Sequence, residues 1–410
     1  MEITHFEWTP VRRDIESPGR WHDYLFREAV GVEPAPVGGT SWLLALRITA
    51  DGGAEGHFIG EYHCSDFVRE HRMELATFTD GLVGRDALDR EGLWQALYER
   101  EVPGQVLTAV DVALWDLFGR TEGKWVGELI GNRKRNRVKG YIQSSPNMPL
   151  EKYVAEAAAV RDCGYHGYKI HPYFGYDPVQ QERTPTGGGR GSPEQDLEVC
   201  RAVREVVGAD FPVMLDNGWT YNLEQAVSVG RELDSMRFTW MESPMPESNE
   251  WLDRYIALRD AIETPICAPQ SGQDCHHSRL LWMEKGATDI NRIDIMFGGL
   301  TPCLKVVRAC QEKGMPIDIH QNPSEHYQLP LYPICTDETM PWMEMHGCVP
   351  ERPAPEATPR AISQPEEYPW FRRMPYQFAD SEGFVHLDCP IAGMGVELDW
   401  DWINAHRAEG

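Results

Sequence analysis

The chain has 410 residues, 41% of them apolar, and a formal net charge of −25; it is too long for one small domain and suits a barrel with an accessory domain. So acidic a chain is a poor match for nucleic acid, whose phosphates call for a basic surface, and no run approaches the roughly 18 consecutive apolar residues of a membrane helix. The N-terminus MEITHFEWTPVRRDIE has no apolar secretory stretch, and the ten cysteines are scattered without a CxxC pair, so a reduced, cytoplasmic protein is expected.

In the first third, TSWLLALRITADGG followed by HFIGEY reads as two strands joined by an Asp-Gly-Gly turn. Helices are expected over roughly 85–99 and 104–120. The second, QVLTAVDVALWDLFGR, is apolar on most faces and belongs between layers. From about Val138 the rhythm changes. Short apolar runs recur, each followed by turn residues and an amphipathic helix: VKGYIQ, GYKIH, PVMLDN, FTWMES, TPICAPQ, DINRID, PIDIHQ and PWMEM. Ser192-Pro193-Glu194-Gln195 forms a capping box with proline at the first helical position. Asn222 with Gln225 forms another, before AVSVGREL. Strand then helix, repeated with little hairpin signal, implies parallel strands and crossovers. Eight such units fit a closed β/α barrel, although the last has a poor helix. A Pro-, Thr- and Gly-rich segment over 176–191 reads as a loop insertion in the second unit. After Glu344, the Pro-rich VPERPAPEATPRAISQPEEYP leads back towards the N-terminal domain, where FVHLDCPIAGMGVEL would finish the structure.

Catalytic groups of such barrels sit at the C-terminal ends of the strands. Run three ends in Asp216 and run four in Glu242. Two carboxylates at one barrel mouth repel unless a cation intervenes, and hard oxygen donors suit Mg²⁺. Run two ends in Lys169-Ile170-His171, whose i and i+2 side chains share a face. Run six ends in Asp294 and run seven in His320. A carboxylate on one imidazole nitrogen fixes the tautomer and makes the other nitrogen a general base. Run eight ends in Glu344.

These runs together resemble the enolase superfamily. AVDVALWDLFGR, WVGELIG and RVKGY resemble its last capping-domain helix and the start of its barrel. YKIH is similar to the Lys-x-Lys motif of the mandelate-racemase-like branch, and MLDN and WMESP to its first two metal-ligand strands. RIDIMFGGLT with IDIHQN resembles its Asp–His dyad, and GMGVEL its closing segment. The resemblance implies an α/β chain: a modified TIM barrel, (β/α)7β, over 136–350, with an N-terminal α+β capping domain over 1–135. That domain would be completed by about 375–410, after a crossing segment over 351–374. It implies Mg²⁺ on Asp216 and Glu242, Lys169 beside the substrate carboxylate, His320 oriented by Asp294 as base or acid, and Glu344 hydrogen-bonded to the substrate carboxylate. A Lys or His base working with Mg²⁺ is the established pattern of the superfamily, and it comes to this chain through the resemblance alone. The Asp294 dyad sets the chain apart from the muconate-cycloisomerase-like branch, which has a lysine in that region.

Two positions depart from the pattern. The third ligand strand, TPICAPQSG, offers Gln270 where an acid is usual, with Asp274 as a substitute four residues on. A neutral amide lowers the charge of the site by one. His171 stands where the branch has its second lysine, and histidine moves protons near neutral pH. The expected reaction is dehydration of an aldonic or aldaric acid. Racemisation or epimerisation, with His171 and His320 on opposite faces, is the alternative, and a decayed site that only binds a carboxylate is a third reading. Trp21 and His22, beside Arg20, and His63 are candidates for reaching the mouth and setting specificity. A small-molecule carboxylate is the expected partner, with neither nucleic acid nor membrane, in a homo-oligomer (dimer or octamer).

Overall fold

A computed structural model describes residues 1–15, 39–61, 64–144, 148–172, 192–271, 275–321, 327–346, 361–363, 368–375 and 379–408. The chain opens with β1 (Ile3–Ile15), which pairs antiparallel along the length of β2 (Gly39–Ala50). β2 turns back into β3 (Glu55–Gly60) to complete a three-stranded sheet. The turn is the expected Asp51-Gly52-Gly53, and both glycines take positive φ, 77° and 80°, where a side chain would be strained. After α1 (Ser65–His71) come the two expected helices, α2 (Arg90–Glu99) and α3 (Gly104–Thr121). α2 starts later than its amphipathic pattern because Asp89 caps it, accepting from the Gly92 N–H at 3.0 Å. α3 is buried along most of its length, against the sheet on one side and the barrel on the other.

The eight apolar runs all become parallel strands. They are β4 (Arg137–Gln143), β5 (Tyr168–Ile170), β6 (Val213–Asp216), β7 (Trp240–Glu242), β8 (Ile266–Cys267), β9 (Asn291–Ile293), β10 (Ile317–Ile319) and β11 (Trp342–His346). Six pair in the order β11-β4-β5-β6-β7-β8, and β9 pairs with β10. Closure is completed by the Cys267–Ile290 bridge and by the Ile317 N–H donating to the Thr339 carbonyl at 2.7 Å. Between the strands lie α4 (Leu150–Asp162), α5 (Pro193–Val207), α6 (Leu223–Ser235), α7 (Leu252–Ala261), α8 (Cys275–Lys285) and α9 (Leu300–Lys313). Both expected capping boxes are present, at Ser192 and Asn222. Between β10 and β11 the described residues hold only a 3₁₀ turn, Leu329–Leu331, where the sequence offered a poor helix.

Inside the barrel, Tyr141, Met214, Trp240, Cys267 and Ile290 pack with Trp342 as an apolar plug. Side chains on a strand alternate faces, so two residues further along β4, β6, β7 and β11 come Gln143, Asp216, Glu242 and Glu344. The apolar plug is therefore the floor of a polar layer. The chain ends with β12 (Ala361–Ser363), β13 (Phe371–Pro375), β14 (Phe384–His386), β15 (Glu397–Leu398) and α10 (Trp400–Ala405). β14 adds antiparallel to β4, and Arg407 bridges back to Val11 of β1. The expected insertion over 176–191 and most of the Pro-rich segment lie outside the described residues. The nine described cysteines are free. Among the described residues no helix is long and apolar enough to cross a membrane.

Candidate active site

Lys169 is fully buried at the end of β5, and three carboxylates surround its ammonium. Glu344 Oε1 lies 2.7 Å from Nζ, both Glu242 oxygens 3.1 Å and Asp216 Oδ2 3.6 Å. Burial and the nearby Arg292 oppose the charge on Lys169, but these carboxylates outweigh them and its pKa is raised. Lys169 is thus a fixed cation. Asp216 and Glu242 sit opposite each other in the β6–β7 register, so their side chains leave neighbouring strands at one level. Burial alone would lift both carboxyls. At Asp216 the contact with His171, together with Lys169 and Arg292, carries the pKa below the carboxylate range. At Glu242 burial prevails over Arg292 and Lys169, and the pKa is raised.

Arg292 and Asp318 were not among the sequence candidates. Arg292 is fully buried, with Nε 2.9 Å from Glu242, a terminal nitrogen 2.5 Å from Glu344 and the other paired with Asp318. Tyr141 donates to Asp318 at 3.0 Å. These two residues stand two positions before Asp294 and His320 on their strands, and that period placed them inside the barrel. An arginine there could only persist among carboxylates, which is the signal that would have found them. Glu242, Cys267 and Asp318 each bring a ligand atom within 4.8 Å of the others. Arg292 is ion-paired with both acids, so this trio is a neutralised interior layer rather than an ion site.

His171 is held at both ring nitrogens. Nε2 lies 2.5 Å from Asp216 Oδ2, and Nδ1 lies 3.0 Å from the Gln143 amide nitrogen. The Gln143 N–H makes Nδ1 the acceptor and leaves the proton on Nε2, facing Asp216. Turning the amide over would make the ring doubly protonated, still with a proton towards Asp216. The Ser144 hydroxyl accepts from the His171 N–H at 2.7 Å, and Tyr153 donates to its carbonyl at 2.6 Å. On the far side of the mouth, Asp294 Oδ2 accepts from His320 Nδ1 at 2.8 Å, and its Oδ1 accepts from the Met296 N–H at 2.8 Å. With Nδ1 protonated, the lone pair of the neutral His320 ring lies on Nε2. The next residue, Gln321, donates its N–H to Glu344 Oε2 at 3.1 Å, which ties the histidine's strand end to the lysine cluster.

Gln270 is buried at the end of β8. Its N–H and those of Ser271 (N–H and hydroxyl) donate to Glu247 Oε2 at 2.8–2.9 Å, and the Ser243 hydroxyl donates to Oε1 at 2.7 Å. Glu247 therefore ties the residue after Glu242 to the residues of the Gln270 turn. Asp274, Trp21, His22 and His63 lie outside the described residues.

Two buried cations, Lys169 and Arg292, face four buried carboxylates, Asp216, Glu242, Asp318 and Glu344. With all four ionised, two negative charges are left over, and burial already opposes the charge on Glu242. An oxygen-rich site short of two positive charges fits a divalent hard cation such as Mg²⁺. Asp216 and Glu242, with the Gln270 amide oxygen as a neutral third donor, would hold it.

Residues 152–402 match the family described as enolase C-terminal domain-like, and residues 33–131 match the mandelate racemase / muconate lactonizing enzyme N-terminal domain. Arabinonate dehydratase of Saccharolobus solfataricus is 28% identical over 74% of this chain and 79% of its own length. D-galactarolactone cycloisomerase of Agrobacterium fabrum is 27% identical over 67% of this chain and 70% of its own. The crystal structure of D-glucarate dehydratase from Agrobacterium tumefaciens, complexed with magnesium, is 28% identical and superposes with a TM-score of 0.76, covering 100% of both chains.

Proposed function

This chain belongs to the enolase superfamily, in its mandelate racemase / muconate lactonizing enzyme family, and on that premise we propose that it is a Mg²⁺-dependent sugar-acid dehydratase. The substrate class is an aldonic or aldaric acid, and the product a 2-keto-3-deoxy acid. The observation that carries this reading is the gathering of Asp216, Glu242 and Glu344 around Lys169, all within 3.6 Å of its ammonium. The relatives named as sugar-acid dehydratases support the substrate class.

Mg²⁺ on Asp216, Glu242 and Gln270 would supply fixed positive charge beside the substrate carboxylate, making the α-proton more acidic. Lys169, held in place by Glu344, adds a second charge that is in position before substrate arrives. His320 accepts the α-proton at Nε2, and Asp294 stabilises the resulting imidazolium. The electron pair of the broken C–H bond passes into the substrate carboxylate as an enediolate. Its collapse forms the C=C bond as the β C–O bond breaks, the leaving oxygen takes the proton from His320 and departs as water, and the enol tautomerises to the keto acid.

Epimerisation would require a second base on the opposite face of the same carbon. His171 is the residue for it, yet its protonated Nε2 is aimed at Asp216 and its Nδ1 is taken by Gln143. That engagement favours a one-base elimination. Incubating a panel of aldonic and aldaric acids with enzyme and Mg²⁺, and trapping keto product with semicarbazide, tests the reading. Keto acid from at least one substrate, lost in His320→Asn, is expected. No keto acid from any, with solvent deuterium entering both stereoisomers of one acid, would establish an epimerase instead. Assembly into a dimer or octamer belongs to the same proposal, and a monomer by light scattering would contradict it.

A further inference from the structure

The loop that follows Asp294 is held in part by side chains from outside the barrel. Thr108, on α3, accepts the Gly298 N–H at 2.9 Å, and its hydroxyl faces the Met296 carbonyl at 2.9 Å. Trp94, on α2, donates its indole N–H to the Gly298 carbonyl at 2.7 Å. One turn further along α3, Asp111 accepts from the N–H and hydroxyl of Thr301 at 2.9 and 2.5 Å, in the first turn of α9. Trp115 donates to the same hydroxyl at 3.0 Å. The fit is close: at Gly299, φ 100°, a Cβ would collide with the Asp111 carboxylate. A carboxylate accepting from the first turn of a helix acts as its N-cap, here supplied by a different helix.

The geometry points to Thr108 and Asp111 as positioning residues for the proton-transfer dyad, an inference that rests on the function proposed above. Asp294 Oδ1 accepts from Met296 N–H, and Met296's own carbonyl is the group that faces Thr108. Asp294 Oδ2 holds His320 Nδ1. The chain of contacts therefore runs from α3 to Met296, to Asp294, to the imidazole. Lys169, Asp216 and Glu242 come from β5, β6 and β7 and, among the described residues, share none of these contacts. The capping layer thus steadies the loop that orients the base, while the described contacts of Lys169, Asp216 and Glu242 all come from the barrel. Misplacing a catalytic group by an ångström costs about a hundredfold in rate, so a loop clamp of this kind has direct kinetic weight.

Thr108→Val removes the hydroxyl and keeps the shape; Thr108→Ser keeps the hydroxyl. Three quantities are measured on each full-length protein: kcat and KM on the substrate found in the panel, Mg²⁺ affinity by calorimetry, and the downfield Nδ1–H proton resonance of His320 by NMR. Thr108→Val should lower kcat about 10- to 100-fold with KM changed less than about threefold. It should also shift or broaden the His320 Nδ1–H signal and leave Mg²⁺ affinity within about twofold. Thr108→Ser should match wild type in all three quantities, and Asp111→Asn should repeat the pattern of Thr108→Val. An unchanged kcat and an unchanged Nδ1–H signal in Thr108→Val would overturn the inference, as would a loss of Mg²⁺ affinity equal to the loss of rate. If wild type dehydrates no sugar acid the function proposed above fails. The NMR signal still tests the clamp, because it requires no turnover.

Discussion

Replacing Arg292 by methionine leaves three fully buried carboxylates facing one another. Glu242, Asp318 and Glu344 all rest on that guanidinium, and after its removal Lys169 is the one described cation left beside Glu242 and Glu344. Removing one partner of a buried ion pair costs about 3–5 kcal/mol, and here three acids lose the same partner. Protonation would relieve part of the strain, so the loss should be greatest above neutral pH. We therefore expect Arg292→Met to lower unfolding stability in EDTA by about 3–5 kcal/mol. The site would then lack three positive charges rather than two, so millimolar Mg²⁺ should recover more stability in the variant than in wild type. The assay is urea unfolding followed by circular dichroism, with and without Mg²⁺. Asp318→Asn in the same background should recover part of the loss, a coupling a double-mutant cycle would measure. A variant within about 1 kcal/mol of wild type in EDTA would refute the charge-balance argument.

Further predictions concern separate parts of the molecule. His320→Asn should reduce kcat by about 10²–10⁴-fold while calorimetric Mg²⁺ binding survives. Glu247→Ala, which frees the turn carrying Gln270 from the residue after Glu242, should weaken Mg²⁺ binding by about 10–100-fold; unaltered affinity would exclude Gln270 as a donor held by that contact. Glu156 is fully buried on α4, and burial raises its pKa well above the ordinary value, with Tyr168 only partly offsetting it. The folded state therefore holds a proton that the unfolded state releases above about pH 4.5, so stability falls as pH rises beyond that point. Glu156→Gln should melt higher than wild type by a margin that widens between pH 5 and pH 8, and a constant margin would contradict the assignment.

What the amino-acid order reveals depends on periodicity. Each barrel strand is short, apolar and followed by a readable helix start, so strand ends such as Asp216, Glu242 and His320 can be named from spacing. β1 is not legible in the same way, because a register shift between Ile3 and His5 and the proline at position 10 interrupt its alternation. Arg292 and Asp318 stand in plain view at period two, yet each lies inside its run rather than at the end, where a barrel's chemistry is sought. The engagement of His171 cannot be read from its own strand, because Gln143 and Asp216 reach it from β4 and β6. The strand that leads to Gln270 differs again: Glu247 acts on its turn through backbone N–H groups that are identical for every residue type.

Diffraction from crystals soaked in Mn²⁺, with an anomalous difference map, tests the central claim most directly, since manganese accepts the oxygen donors that magnesium does. The account predicts one strong peak in the barrel mouth, within bonding distance of both Asp216 and Glu242. A map without a peak there, or with Asp216 and Glu242 still closed around Lys169 at saturating Mn²⁺, would contradict it.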